Sequence, residues 1–158
     1  MLENSNPVTE RLCYNRGRSE RHGTLMQTGI PTETRDFLNA LFAGCPSGYL
    51  TLTAIHPDGL HPVPSRHVAL RDEAALDDGL ARLLAANARG WGAYFAVATR
   101  KTPLGRWGRG GRDDLEALPA LFVDIDDAGA TTRLAWFDLP PTWVVASGRG
   151  YHAYWLLE

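Results

Sequence analysis

The sequence has little cysteine: Cys13 and Cys45 are the only two in 158 residues. They form no CxxC pair and are too few for a zinc ribbon or a disulfide framework, so the plain reading is a reduced, cytoplasmic protein. An excess of charge of either sign is also missing. Sixteen basic side chains against eighteen acidic ones leave a formal charge of −2, and no global positive field marks a nucleic-acid partner. No apolar run reaches the roughly 18 residues of a membrane helix, and the opening MLENSNPVTERLCYNRGRSERHG lacks the apolar stretch of a signal peptide. There is no internal repeat.

What is present fits a globular domain. Hydrophobic residues make up 44% and charged residues 22%, which argues against wholesale disorder and a fibrous repeat. The length suits one domain that buries about two thirds of its unfolded surface. Sixteen glycines and ten prolines foretell many turns.

Residues 1–30 are polar, with Arg11, Arg16, Arg18 and Arg21 among Asn, Gly, Ser and Glu, and read as a flexible arm. The spacing of Phe37, Leu38, Leu41 and Phe42 predicts a helix over Glu33–Ala43, capped by Thr32 and stopped by Gly44. Tyr49–Ile55 alternates as a half-buried strand, with Leu50, Leu52 and Ala54 on one face and two threonines on the other. A Pro-rich loop follows, holding His56, His61 and His67, whose spacing does not support a zinc site. Asp72 is the expected cap of a second helix running to Ala88, with Leu76, Leu80, Leu83 and Leu84 as its apolar stripe and Gly90 closing it. Strands are expected at Trp91–Ala98, Ala120–Asp126, Trp143–Ala146 and Tyr151–Leu157, with a short helix at Thr131–Phe137. This order suggests an α+β or α/β sandwich, with helices on one face of a mixed sheet.

In Ala120–Asp126, extended geometry puts Phe122, Asp124 and Asp126 on one face, the two carboxylates rooted roughly 7 Å apart. Like charges this close repel unless a cation lies between them, and carboxylates suit Mg²⁺ or Mn²⁺ bound together with substrate phosphates. The alternative is an exposed strand end, with Asp127 opening the next turn. A second motif, Ser147-Gly148-Arg149-Gly150-Tyr151-His152, joins two predicted strands. Its glycines allow close backbone approach, and Ser147, the backbone amides and His152 supply donors for an anion. The alternative is a plain β-hairpin. Taken together, metal ligands and phosphate donors on neighbouring strands read as a nucleoside triphosphate site. Arg100, Lys101, Arg106, Arg109 and Arg112 fall in a Gly-rich loop without acidic residues. Read as flexible, that loop can hold template or triphosphate phosphates, with Trp107 stacking on a base; a merely solvated loop is the other reading.

The strand LFVDIDD followed by WVVASGRGYHAYWLLE resembles the first two catalytic motifs of the archaeo-eukaryotic primase superfamily. The match in style is to the primase-polymerase domains of plasmid and phage replication proteins (RepB-type), over residues 35–158. The resemblance implies an RRM-like mixed or antiparallel sheet with an N-terminal α/β unit in a partial catalytic domain spanning residues 31–158. It further implies template-directed, metal-dependent nucleotide addition in DNA replication. Asp124 and Asp126 would be the catalytic, metal-binding carboxylates. Ser147, Gly148, Arg149 and His152 would contact the nucleotide, and Arg100, Lys101, Arg106, Trp107 and Arg109 a single-stranded DNA template. The family's third aspartate, on a strand well downstream of the histidine, has no counterpart before Glu158. The expectation is therefore a piece of a longer replication protein, with a helicase or other replication domain downstream or in trans, or an inactive remnant. The competing expectation is a non-catalytic RRM-like module for single-stranded nucleic acid. A DxD glycosyltransferase fragment is disfavoured by the short length.

Overall fold

The computed structural model describes residues 32–126, 129, 132, 134, 136–147 and 150–157. The arm expected over residues 1–30 lies outside them, as do Asp127, Gly148 and Arg149. The elements run α1 (Thr32–Leu41), β1 (Tyr49–Ile55), β2 (Ser65–Ala69), α2 (Glu73–Ala88), β3 (Gly92–Phe95), a 3-10 turn (Arg112–Asp114), β4 (Ala120–Ile125), β5 (Trp143–Ala146) and β6 (Tyr151–Leu156). The fold is α+β, as expected. The chain divides after Pro119 into two compact units, each with one three-stranded antiparallel sheet. The strand order is β2-β1-β3 in the first and β4-β6-β5 in the second.

In the first unit, β1 is the central strand, and Leu50 and Leu52 lie opposite Val68 and Arg66 of β2. Both helices cover this face. Phe37 of α1 meets Phe95 edge-on, with ring centroids 5.9 Å apart, and Phe95 is the ladder partner of Leu52. α2 starts where its sequence says it should: the Asp72 carboxylate accepts a hydrogen bond from the Ala75 amide at 2.9 Å, filling one of the donors a helix start leaves open. Gly90, with φ of +91°, takes the left-handed conformation that ends it. Gly79 costs helix propensity, yet a β-carbon there would lie 2.8 Å from Leu52 Cδ1 and 3.3 Å from Val68 Cγ2. The missing side chain lets the helix sit directly on the sheet.

The opposite face of β1 departs from the expected half-exposed pattern. Thr51 and Thr53 are buried, and each pairs across the ladder, Thr51 Oγ1 with His67 Nδ1 at 3.0 Å and Thr53 Oγ1 with Ser65 Oγ at 3.1 Å. β2, read from sequence as loop, supplies both partners. The row is covered by the Gly-rich segment after β3: the Ser65 amide donates to the Arg106 carbonyl at 2.7 Å, and His67 Nε2 donates to the Gly108 carbonyl at 2.9 Å. Hydroxyl and imidazole pairing meets the cost of burying polar groups on this face.

In the second unit β6 is central, paired along Tyr151–Leu156 with β4 and along Tyr151–Tyr154 with β5. Where the predicted helix Thr131–Phe137 is described, the Trp136 amide donates to the Thr132 carbonyl at 3.2 Å, a helical hydrogen bond. The Trp155 indole anchors the following segment by donating to the Leu139 carbonyl at 2.8 Å.

Candidate functional site

The β4–β6 register brings the two sequence motifs together. Asp124 lies directly opposite His152, and Phe122 opposite Tyr154; on the other flank His152 faces Val145 and Tyr154 faces Trp143. Side chains that oppose each other across a ladder share a face, so one row carries Asp124, His152 and Val145 and the next carries Phe122, Tyr154 and Trp143. His152 Nε2 lies 3.2 Å from Asp124 Oδ1, and His152 Nδ1 lies 3.3 Å from the Tyr154 hydroxyl. For a neutral ring the phenol contact selects one tautomer: the phenol donates to Nδ1, and the ring proton on Nε2 faces the carboxylate. Tyr154 is 1% exposed. Burial, and secondarily the Asp124 charge, pushes its hydroxyl up to about 12, which keeps it a proton donor. Phe122 stacks on the Tyr154 ring at 6.0 Å and leaves 53% of itself exposed.

Asp126 follows the last residue of β4 and is exposed. The hairpin after β5 closes through the Ser147 amide, which donates to the Gly150 carbonyl at 3.0 Å, and through Ser147 Oγ, which accepts from the Gly150 amide at 3.2 Å. The expected close approach at a glycine is found at Gly150, but to the chain itself rather than to a ligand. A β-carbon there would collide with the Ile125 carbonyl oxygen and lie 2.9 Å from Asp126 Cα. Glycine thus lets the hairpin abut the end of the strand bearing the carboxylates. Gly148 and Arg149 are outside the described residues.

The basic loop belongs to the other unit and is not the flexible segment expected. Arg100 pairs in isolated bridges with Tyr49 and Leu115, and its Nε donates to the Arg109 carbonyl at 2.9 Å. Lys101 Nζ donates to the Asp113 carbonyl at 2.9 Å. These two cations hold the loop's own backbone. Arg106, Trp107 and Arg109 are exposed; Arg106 lies over the Trp107 ring at 4.9 Å, and Trp107 is 59% exposed.

The Pro-rich loop between β1 and β2 holds a grouping the sequence reading missed. His67 lies apart on β2, with both ring nitrogens engaged as described above. His56 and His61 instead converge on Asp58, which sequence reasoning had taken as a turn residue. Desolvation alone would push the Asp58 carboxyl up, but the Leu60 amide and the imidazoles of His61 and His56 outweigh it and hold the carboxyl well below its usual range. Among the described residues, His56, Asp58 and His61 are the one set of three such side chains with ligand atoms within 4.8 Å of one another. The spacing H-x-D-x-x-H was the available signal.

Asp124 and Asp126 suit a hard divalent ion in a restricted sense. Both are exposed, and no third histidine, cysteine or acidic side chain among the described residues joins them in such a set. As oxygen donors the two carboxylates are of the type that Mg²⁺ takes. Cys45 is buried, and burial pushes its thiol up, against the opposing charge of Arg71, which suits a packing residue rather than a nucleophile. No helix among the described residues is long and apolar enough to cross a membrane. Set against protein-family models, curated proteins and solved structures, the chain matches none.

Proposed function

We propose that the second unit carries the nucleotide-binding half of a primase-polymerase type nucleotidyltransferase site. One observation supports this reading above the others: the carboxylate of the first motif and the histidine of the second, remote in sequence, occupy opposed positions on adjacent strands with side chains 3.2 Å apart. A hairpin alone has no need of that pairing. Asp124 and Asp126 would hold Mg²⁺ or Mn²⁺, and a bound ion of this kind neutralises phosphate charge during in-line displacement. His152, oriented from behind by the Tyr154 hydroxyl, presents Nε2–H on the carboxylate side, where it can donate to a triphosphate oxygen. Ser147 keeps its hydroxyl proton for a ligand because its oxygen serves the hairpin as acceptor. Partners in this reading are nucleoside triphosphates, a single-stranded DNA template and a further replication domain.

The test is thermal. Mn²⁺ with a nucleoside triphosphate is expected to raise Tm, and Asp124→Ala with Asp126→Ala to remove the rise. A rise of equal size in the double variant refutes the site.

A second reading has its own support in the exposed Trp107 beneath Arg106: a module that binds single strands by stacking and phosphate contact, without chemistry. It predicts salt-sensitive binding of single-stranded DNA that is lost in Arg106→Ala with Trp107→Ala and is indifferent to metal and to Asp124.

A further inference from the structure

We infer that the β1–β2 loop is a binding site for one divalent transition-metal ion of the Zn²⁺ class, held by His56, Asp58 and His61. The inference is independent of the proposed nucleotidyl chemistry, whose residues lie in the other unit.

Three side chains of ligating type already converge. His56 Nδ1 lies 2.7 Å from Asp58 Oδ1, and His61 Nδ1 lies 3.0 Å from Asp58 Oδ2. A ring nitrogen and a carboxylate oxygen at these separations are both electron-rich and stay together only with a positive centre between them, a proton or a metal ion. The Asp58 amide also points at His56 Nδ1, 3.4 Å away, so that nitrogen presents a lone pair rather than a proton, and an ion bound there would replace this long hydrogen bond. A metal ion would meet both imidazoles through Nδ1, with the ring protons on Nε2, and the carboxylate would offset its charge.

The loop is arranged in advance of any ligand. The Gly59 amide donates to the His56 carbonyl at 3.1 Å, the Leu60 amide to Asp58 Oδ1 at 2.9 Å, and Gly59 takes a φ of +69° that favours glycine. Pro57 and Pro62, each directly after a histidine, restrict the backbone on either side. The two imidazoles lie 4.1 Å apart between centroids, and both meet the Trp91 ring edge-on, at 5.0 and 5.7 Å. Trp91 thereby gives the pair an apolar wall and limits the rotamers open to each ring.

The donor set selects the ion. Two imidazoles and one carboxylate suit Zn²⁺ and its neighbours Co²⁺, Ni²⁺ and Cu²⁺, whereas Mg²⁺ and Ca²⁺ prefer oxygen alone. Three protein ligands leave a fourth position for water or for a group from a ligand.

The experiment titrates Zn²⁺ calorimetrically into the tag-free full chain carrying Asp124→Ala and Asp126→Ala, which removes the competing carboxylates. One ion per chain is expected. Losing an outer-shell partner costs metal sites about 10–100-fold, so His56→Ala with His61→Ala, and separately Asp58→Asn, should weaken binding by about tenfold at the least. His22→Ala should leave it unchanged. Co²⁺ added to the same chain should give the visible absorption of a four-coordinate ion, absent in His61→Ala. Asp58→Asn keeps the size of the side chain and guards against a variant that fails to fold, as checked by circular dichroism. Equal Zn²⁺ affinity in the folded variants, or no heat of binding in the parent chain, overturns the inference.

Discussion

The Tyr154 phenol offers the sharpest physical test of the second sheet. Its ordinary value of 10 is pushed up to about 12, first by burial and then by the Asp124 carboxylate. Two pH units correspond to about 3 kcal/mol of preference for the protonated phenol in the folded chain. Below pH 10 folded and unfolded chains both keep the proton, and this contribution is fully present. As pH climbs from 10 to 12 the unfolded chain gives up the proton while the folded chain retains it, so the folded state binds more protons and stability falls. The direct assay is ultraviolet absorbance of tyrosinate against pH, read as a difference between the parent chain and Tyr154→Phe. The difference curve should contain one late step near 12, and the parent should lose about 3 kcal/mol more stability to denaturant between pH 10 and 12 than the variant does. Asp124→Asn should move the step down but leave it above 10, since burial is the larger cause. A difference step at the ordinary tyrosine value, or parallel loss of stability in parent and variant, refutes the packing of Tyr154 and with it the anchoring of His152.

Two substitutions probe glycines. Gly79→Ala gains about 1 kcal/mol of helix propensity but drives a methyl against the buried Leu52 and Val68, and overpacking of this kind costs about 1–3 kcal/mol. The net expectation is about 1 kcal/mol of lost stability in urea unfolding, and a more stable variant contradicts the helix-to-sheet contact. Gly150→Ala meets backbone rather than a yielding side chain, so its cost should lie toward the upper end, about 3 kcal/mol. It should also reduce the Mn²⁺-nucleotide shift in Tm, because it displaces the segment bearing Asp126; an unaltered Tm in this variant sinks the account of the hairpin.

Elements governed by local rules were legible in the sequence. β1 occupies the residues that alternation picks out, α2 begins at the carboxylate that caps it, and the β5–β6 hairpin is where its glycines place it. The two motifs were expected on neighbouring strands, and they are; that Asp124 stands directly opposite His152 is a matter of ladder register that the sequence did not show. What was not legible depends on pairing partners distant in the chain. β2 is five residues long, starts straight after Pro64 and contains Arg66 and His67; only its ladder with β1 makes it a strand. The buried threonines of β1 look like a solvent face until the polar groups of β2 and the loop carbonyls that satisfy them are in view. The glycines and cations after β3 suggested flexibility, yet Arg100 Nε and Lys101 Nζ donate to the loop's backbone. Asp58 escaped notice because a Pro-Asp-Gly turn accounts for it locally.

The attachment of Arg106 and Gly108 to β2 bears on how the face carrying Trp107 would engage anything. Ordering a free backbone costs about 1–2 kcal/mol per residue, and a floppy basic arm meets that cost at the moment of capture. Here folding of the first unit has met it beforehand. An incoming chain would find cation and indole already in register, so that its residence time would depend on the fit of the contact rather than on wrapping, and loosening Ser65 or His67 would weaken capture without touching the surface itself.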